Sequence, residues 1–220
     1  MNREDTFRAA SVRGHIRGRW VSGAEGARSS YPEFDVHNTL TYSAADVLAA
    51  AYGGDSTRIP RYIGFVYGPE LVQLPPVSRD ETFRTIDSLC SSFGLNMQVD
   101  RFSRPPTVGN YSVFGTEDED SSDSTDSDSP YDSNVVEFHA VTRSGRNGVY
   151  PMDTDESSAY AGPLGKDMYL YRAVLLGDGK YPCVGDPYTV LAVADLMKNG
   201  SYRQKPENYE LAFDWRVVFE

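Results

Sequence analysis

The segment LAFDWRVVFE, Leu211–Glu220, alternates without a break. Leu211, Phe213, Trp215, Val217 and Phe219 fall on one side of an extended chain, and Ala212, Asp214, Arg216, Val218 and Glu220 on the other. Successive side chains of a strand point to opposite faces, so a period of two held over ten residues specifies a β-strand with its apolar face around Trp215. Such a face has to be covered by another layer, which commits the chain to a layered β architecture with Trp215 in the core.

The segments upstream extend the pattern. VVEFHAVT (Val135–Thr142) alternates, with Val136, Phe138 and Ala140 on one side and His139 on the other. MYLYRAVLLG (Met168–Gly177) is almost continuously apolar, as a strand buried on both faces would be. TVLAVADL (Thr189–Leu196), LNMQVDRF (Leu95–Phe102) and RYIGFVYG (Arg61–Gly68) read as further strands. Two helices are predicted in the first half. One covers 43–52, with Ser43 and Asp46 at capping-box spacing and Gly53-Gly54 as its stop. The other covers 79–92, with Ser78 and Glu81 as the capping box and Phe83, Ile86, Leu89, Cys90 and Phe93 on one face. The order of elements shows no βαβ alternation, which disfavours a parallel sheet and favours a mainly β, antiparallel sandwich.

The boundaries follow from composition. Residues 1–36 show no clear period and are read as an extended N-terminal arm or an edge segment; residues 37–220 form the sandwich domain. The chain carries a net charge of −11, but TEDEDSSDSTDSDSPYDS (Thr116–Ser133) alone holds eight acids, and the remainder is close to balance. Three readings of this stretch compete: a calcium site, an interdomain linker, and a solvated loop closing a hairpin. Asp126 and Asp128 fit the first two positions of a twelve-residue calcium loop, but Tyr131 stands where that loop needs glycine. The strand-like flanks favour the long acidic loop at 116–133, since closure entropy rises only with the logarithm of length.

Chemistry-bearing motifs are sparse. The three histidines, His15, His37 and His139, have no metal spacing, and His139 reads as a hydrogen-bonded surface or edge residue. The two cysteines, Cys90 and Cys183, indicate no disulfide framework and are expected reduced. No G-x-S-x-G turn is present, and GDGK (Gly177–Lys180) lacks the trailing hydroxyl of a phosphate loop. No catalytic residue, cofactor or metal ligand is assigned, so an enzyme is not expected. The acidic balance disfavours non-specific nucleic-acid binding, no apolar run reaches the length of a membrane span, and the N-terminus lacks the apolar centre of a signal peptide. The first thirty residues are locally basic, and Arg13, Arg17, Arg19 and Trp20 are the candidate partner-binding residues; Arg17, Arg19 and Trp20 could hold a phosphate or a base, but pairing with carboxylates of a neighbouring chain is the favoured reading.

NTLTYSAADVLAAAYGGDSTRIPRYIGFVYG (Asn38–Gly68) and YRQKPENYELAFDWRVVFE (Tyr202–Glu220) together resemble small virion structural proteins of tailed bacteriophages. The match rests on Asn38, Gly53, Gly54, Pro60 and Gly68 at the front and on Lys205, Leu211, Trp215 and Val217 at the end; it covers about a quarter of the chain. The resemblance implies a jelly-roll-like β-sandwich without enzymatic activity. It implies a place in the virion, as a capsid decoration (cement) protein, often a homotrimer, bound to the major capsid protein or other virion proteins. A neck, collar or tail-fibre component is the alternative within the same particle, and a host-surface sugar-binding module the alternative outside that class.

Overall fold

The structure, a computed structural model, describes residues 12–22, 34–55, 59–102, 107–109, 135–142, 168–178, 188–197, 200–204 and 209–219. In chain order these form β1 (Val12–Ser22), β2 (Phe34–Leu40), α1 (Tyr42–Tyr52), β3 (Pro60–Gly68), α2 (Phe83–Phe93), β4 (Asn96–Arg101), β5 (Thr107–Gly109), β6 (Val135–Thr142), β7 (Tyr169–Asp178), β8 (Tyr188–Asp195), β9 (Arg203–Gln204) and β10 (Tyr209–Phe219). All strand pairs are antiparallel and join one sheet, in the order β4-β3-β7-β8-β2-β1-β10-β6-β5, with β9 paired to β7. The expected class is therefore found: mainly β, antiparallel, with two helices in the first half.

The two layers of this sandwich-like fold are halves of one continuous sheet that curls over itself. Phe65 of β3 and Phe213 of β10 stand five places apart along the sheet, yet their rings stack with centroids 4.4 Å apart. Near the sheet's ends, Phe102, just after β4, packs against Phe138 of β6 at 5.0 Å. Ile16, Trp20, Phe34, Phe65, Phe213 and Trp215 are buried in the enclosed core, with Trp215 fully inaccessible as its alternation predicts. The half containing β4, β3, β7 and β8 is covered on its outer face too, where Phe83, Ile86 and Cys90 of α2 pack in a second cluster with Val66, Met97, Val174 and Val193. This double burial explains why β7 reads as a continuous apolar run, whereas β10, in the other half, alternates.

Residues 12–22 correct the expectation of an N-terminal arm. β1 is an interior strand, paired along its whole length with β10 and over Gly14–Gly18 with β2. Its period of two is carried by Gly14, Ile16, Gly18 and Trp20 on the buried side and Arg13, His15, Arg17 and Arg19 on the other. Two of the four buried positions are glycine, so a scan for apolar residues does not register the pattern. The glycines have a packing reason: a Cβ on Gly18 would overlap the Phe34 ring, and one on Gly14 the Asn38 amide.

Both helix starts also shift. α1 is preceded by Thr41 rather than capped by Ser43; the Thr41 hydroxyl donates to the Val190 carbonyl oxygen at 2.6 Å and so ties the helix entry to β8. The left-handed residue after α1 is Gly54, at φ +87°. α2 is capped by Thr82, in a reciprocal box with Thr85. Ser78 instead shapes a turn ahead of it, accepting from the Asp80 amide. Glu81 is drawn away to Arg172, whose guanidinium is fully buried in β7 and lies 3.6 Å from the Glu81 carboxylate. The β3–β7 register slips at this point, so that Val66 faces Arg172 and Tyr67 faces Leu170. The bulge lets both Tyr171 and Arg172 reach the segment before α2, at the Glu70 and Pro75 carbonyl oxygens.

The acidic stretch lies outside the described residues. Its flanks do not: Gly109 of β5 pairs with Val135 of β6, so residues 110–134 connect neighbouring antiparallel strands of the same sheet. The upstream flank read as strand-like, YSVFG at 111–115, also lies outside the described residues.

Candidate functional site

The outer face of the half formed by β2, β1, β10 and β6 is where the polar sides of four alternating strands meet. Antiparallel register lines them up in rows. One row reads Asp35, Arg17, Asp214, His139; the next reads His37, His15, Arg216, Glu137. All three histidines of the chain thus share one face, with three carboxylates and two guanidiniums between them. Arg13 stands exposed at one end of the β1 row and Arg19 half-buried at the other.

Opposite charges face each other across strands, an arrangement that stabilises a sheet by roughly 0.2–1 kcal/mol per pair. Arg216 Nε donates to Glu137 Oε1 at 2.8 Å. His139 Nδ1 lies 2.5 Å from Asp214 Oδ1, and its Nε2 lies 3.7 Å from Glu137 Oε2. His15 Nε2 contacts Asp35 Oδ1, and its ring stacks on His37 with centroids 4.9 Å apart. Burial pushes the His15 pKa below its usual value; the Asp35 carboxylate opposes this, while His37 and Arg216 add to it. Glu137, His139 and Asp214 are the donor set among the described residues with the composition and proximity to hold a metal ion.

Of the residues expected to bind a partner, three keep a place on this face and one does not. Arg13, Arg17 and Arg19 project from the polar side of β1. Trp20 is 5% exposed and belongs to the enclosed core, because its place in the β1 alternation turns it inward. The grouping of His15, His37 and His139 was invisible in the sequence, since it depends on the registers of three strand pairs and not on spacing. The one signal available was that His139 and Asp214 each occupy the polar side of an alternating strand.

Two other features narrow the chemistry. An apolar cavity of about 230 Å³ opens between α1 and the sheet, lined by residues such as Val47, Leu48, Ile59, Leu175 and Phe219. The described residues that line it offer no polar group to a reaction. Cys90 is buried and its thiol is pushed up to about 11, chiefly by desolvation, so it is not a thiolate nucleophile at neutral pH; Cys183 lies outside the described residues. No helix among the described residues is long and apolar enough to cross a membrane. Comparison with protein-family models, with curated proteins and with solved structures gives no match.

Proposed function

We propose that the protein is a structural component of a bacteriophage virion, and within that class a capsid decoration protein that binds neighbouring coat subunits. The observation that carries the reading is a hydrogen bond from Trp215 Nε1 to Asn38 Oδ1 at 3.2 Å. These residues come from the two separate segments on which the resemblance to virion proteins rests, and the fold joins them into one local unit across β1. The titratable groups support the same reading, because those of β2, β1, β10 and β6 lie in rows along one outer sheet face. Such a face suits repeated, individually weak contacts, which gain strength through multivalency on a symmetric particle. Arg13, exposed at the end of β1, is the first candidate for such a contact; Trp20 is not, being buried.

The test is to locate the protein in purified particles, by mass spectrometry of the intact virion and by electron microscopy of particles carrying a tagged copy. Density on the outer shell with a copy number set by the coat symmetry is expected, together with a trimer in solution by light scattering. Density at the neck or tail would move the protein within the virion. Its absence from washed particles would overturn the proposal.

A further inference from the structure

We propose that Glu137 and His139, backed by Asp214, form a binding site for a divalent transition cation of the Zn2+ class. The inference rests on the geometry of the β6–β10 pair and is independent of any role in a particle. Glu137 and His139 are two residues apart on β6 and so share a face. Asp214 stands opposite His139 on β10, and β10 is held on both sides by β1 and β6. Glu137 is paired to β5 and β10, Asp214 to β6 and β1, and His139 to β10, so all three donors project from paired strands.

A neutral imidazole has one donor nitrogen and one acceptor nitrogen. His139 Nδ1 lies 2.5 Å from the Asp214 carboxylate, which assigns the proton to that nitrogen. The Nε2 lone pair then faces the Glu137 carboxylate, with Nε2 and Oε2 3.7 Å apart. A cation seated between these two atoms would be bonded by both. An ion about 2.1 Å from each atom would close that 3.7 Å gap at an angle of about 120°, compatible with a tetrahedral site. The Asp214 carboxylate behind the ring matches the usual outer partner of a metal-binding histidine, which fixes the tautomer and raises the basicity of the ligating nitrogen. Arg216 occupies the other Glu137 oxygen, Oε1, at 2.8 Å and so turns Oε2 toward His139. The mixed nitrogen and oxygen set favours Zn2+ or a similar ion over Ca2+, which takes oxygen ligands alone. The side chains of His139, Glu137 and Asp214 are 15%, 23% and 30% exposed, so water can complete the coordination.

Metal-stripped full-length protein, titrated with ZnCl2 and followed through its imidazole nitrogens by NMR, tests the site; with three histidines the signals are few enough to assign. Zinc is expected to shift the His139 nitrogens first and to bind once per chain at this face. Glu137→Gln and His139→Gln should each weaken that binding at least about tenfold, and Asp214→Asn roughly 10–100-fold, whereas Asp46→Asn on α1 should leave it unchanged. Zinc that leaves the His139 signals in place, or moves those of His15 and His37 instead, overturns the assignment. Should a variant fail to fold, the wild-type shifts alone decide.

Discussion

Trp215 Nε1 donates a hydrogen bond to Asn38 Oδ1, 3.2 Å away and 177 residues earlier in the chain. The two residues do not pair directly. They meet over β1, where Gly14 is the register partner of Asn38 and Ile16 that of Trp215. Only a residue without a Cβ lets the Asn38 amide lie at Gly14. Trp215→Ala is therefore expected to cost roughly 3–5 kcal/mol as a core deletion, and Asn38→Ala about 1–3 kcal/mol for an orphaned indole N–H. Chemical denaturation of both singles and the double variant should show a coupling of about 0.5–1.5 kcal/mol. Strict additivity would mean that the bond contributes nothing.

Gly18 has the same function for Phe34. Gly18→Ala should destabilise the fold by roughly 1–3 kcal/mol through overpacking, because the new methyl group overlaps the Phe34 ring. Adding Phe34→Leu should recover part of the loss in thermal unfolding. Equal melting temperatures for wild type and Gly18→Ala would contradict the close approach of β1 and β2.

The buried guanidinium of Arg172 predicts asymmetric mutational costs. Glu81→Ala leaves it without its carboxylate and should cost roughly 3–5 kcal/mol. The double variant Arg172→Met with Glu81→Leu should be much closer to wild type, because no charge is left buried. If the double variant is as unstable as the single, the pair is needed for more than its own neutralisation.

Helix capping separates the expected and observed starts of α2. Thr82→Ala should cost about 1 kcal/mol, since it removes the reciprocal box with Thr85. Ser78→Ala should cost less, because the Ser78 hydroxyl lies outside the helix and shapes a solvent-exposed turn. Urea midpoints for the two variants, measured side by side, check the order.

His15 gives the stability a defined pH dependence. Burial lowers its folded pKa below the ordinary value near 6.5. Below that value the unfolded chain takes up a proton that the native state resists, so the contribution is complete above about pH 6.5 and is lost progressively as pH falls toward the folded pKa. His15→Gln should flatten the slope of unfolding free energy as pH falls below about 6.5. An unchanged slope would place the acid sensitivity elsewhere.

Strands with apolar alternation or continuous apolar runs, β3, β4, β6, β7, β8 and β10, were legible because burial demands large side chains at fixed periods. β1 was not, because half of its inward positions are glycines whose role is to make room for Phe34 and Asn38. α2 was located by its apolar face and α1 by its glycine stop, but their N-caps were misplaced. Thr41 spends its hydroxyl on β8, and Glu81 is committed to a guanidinium 91 positions later in the chain. Local capping statistics carry no information about either partner.

The sequence by itself determined the secondary-structure class, the inward side of the closing strand and the burial of Trp215, since a period of two and a hydrophobic core leave no other solution. Tertiary structure alone decided that residues 12–22 of the supposed arm form an interior strand, and that His15, His37 and His139 share a face with Glu137 and Asp214. Both follow from strand order and register, which are set by the packing of residues far apart in the chain and leave no trace in local spacing.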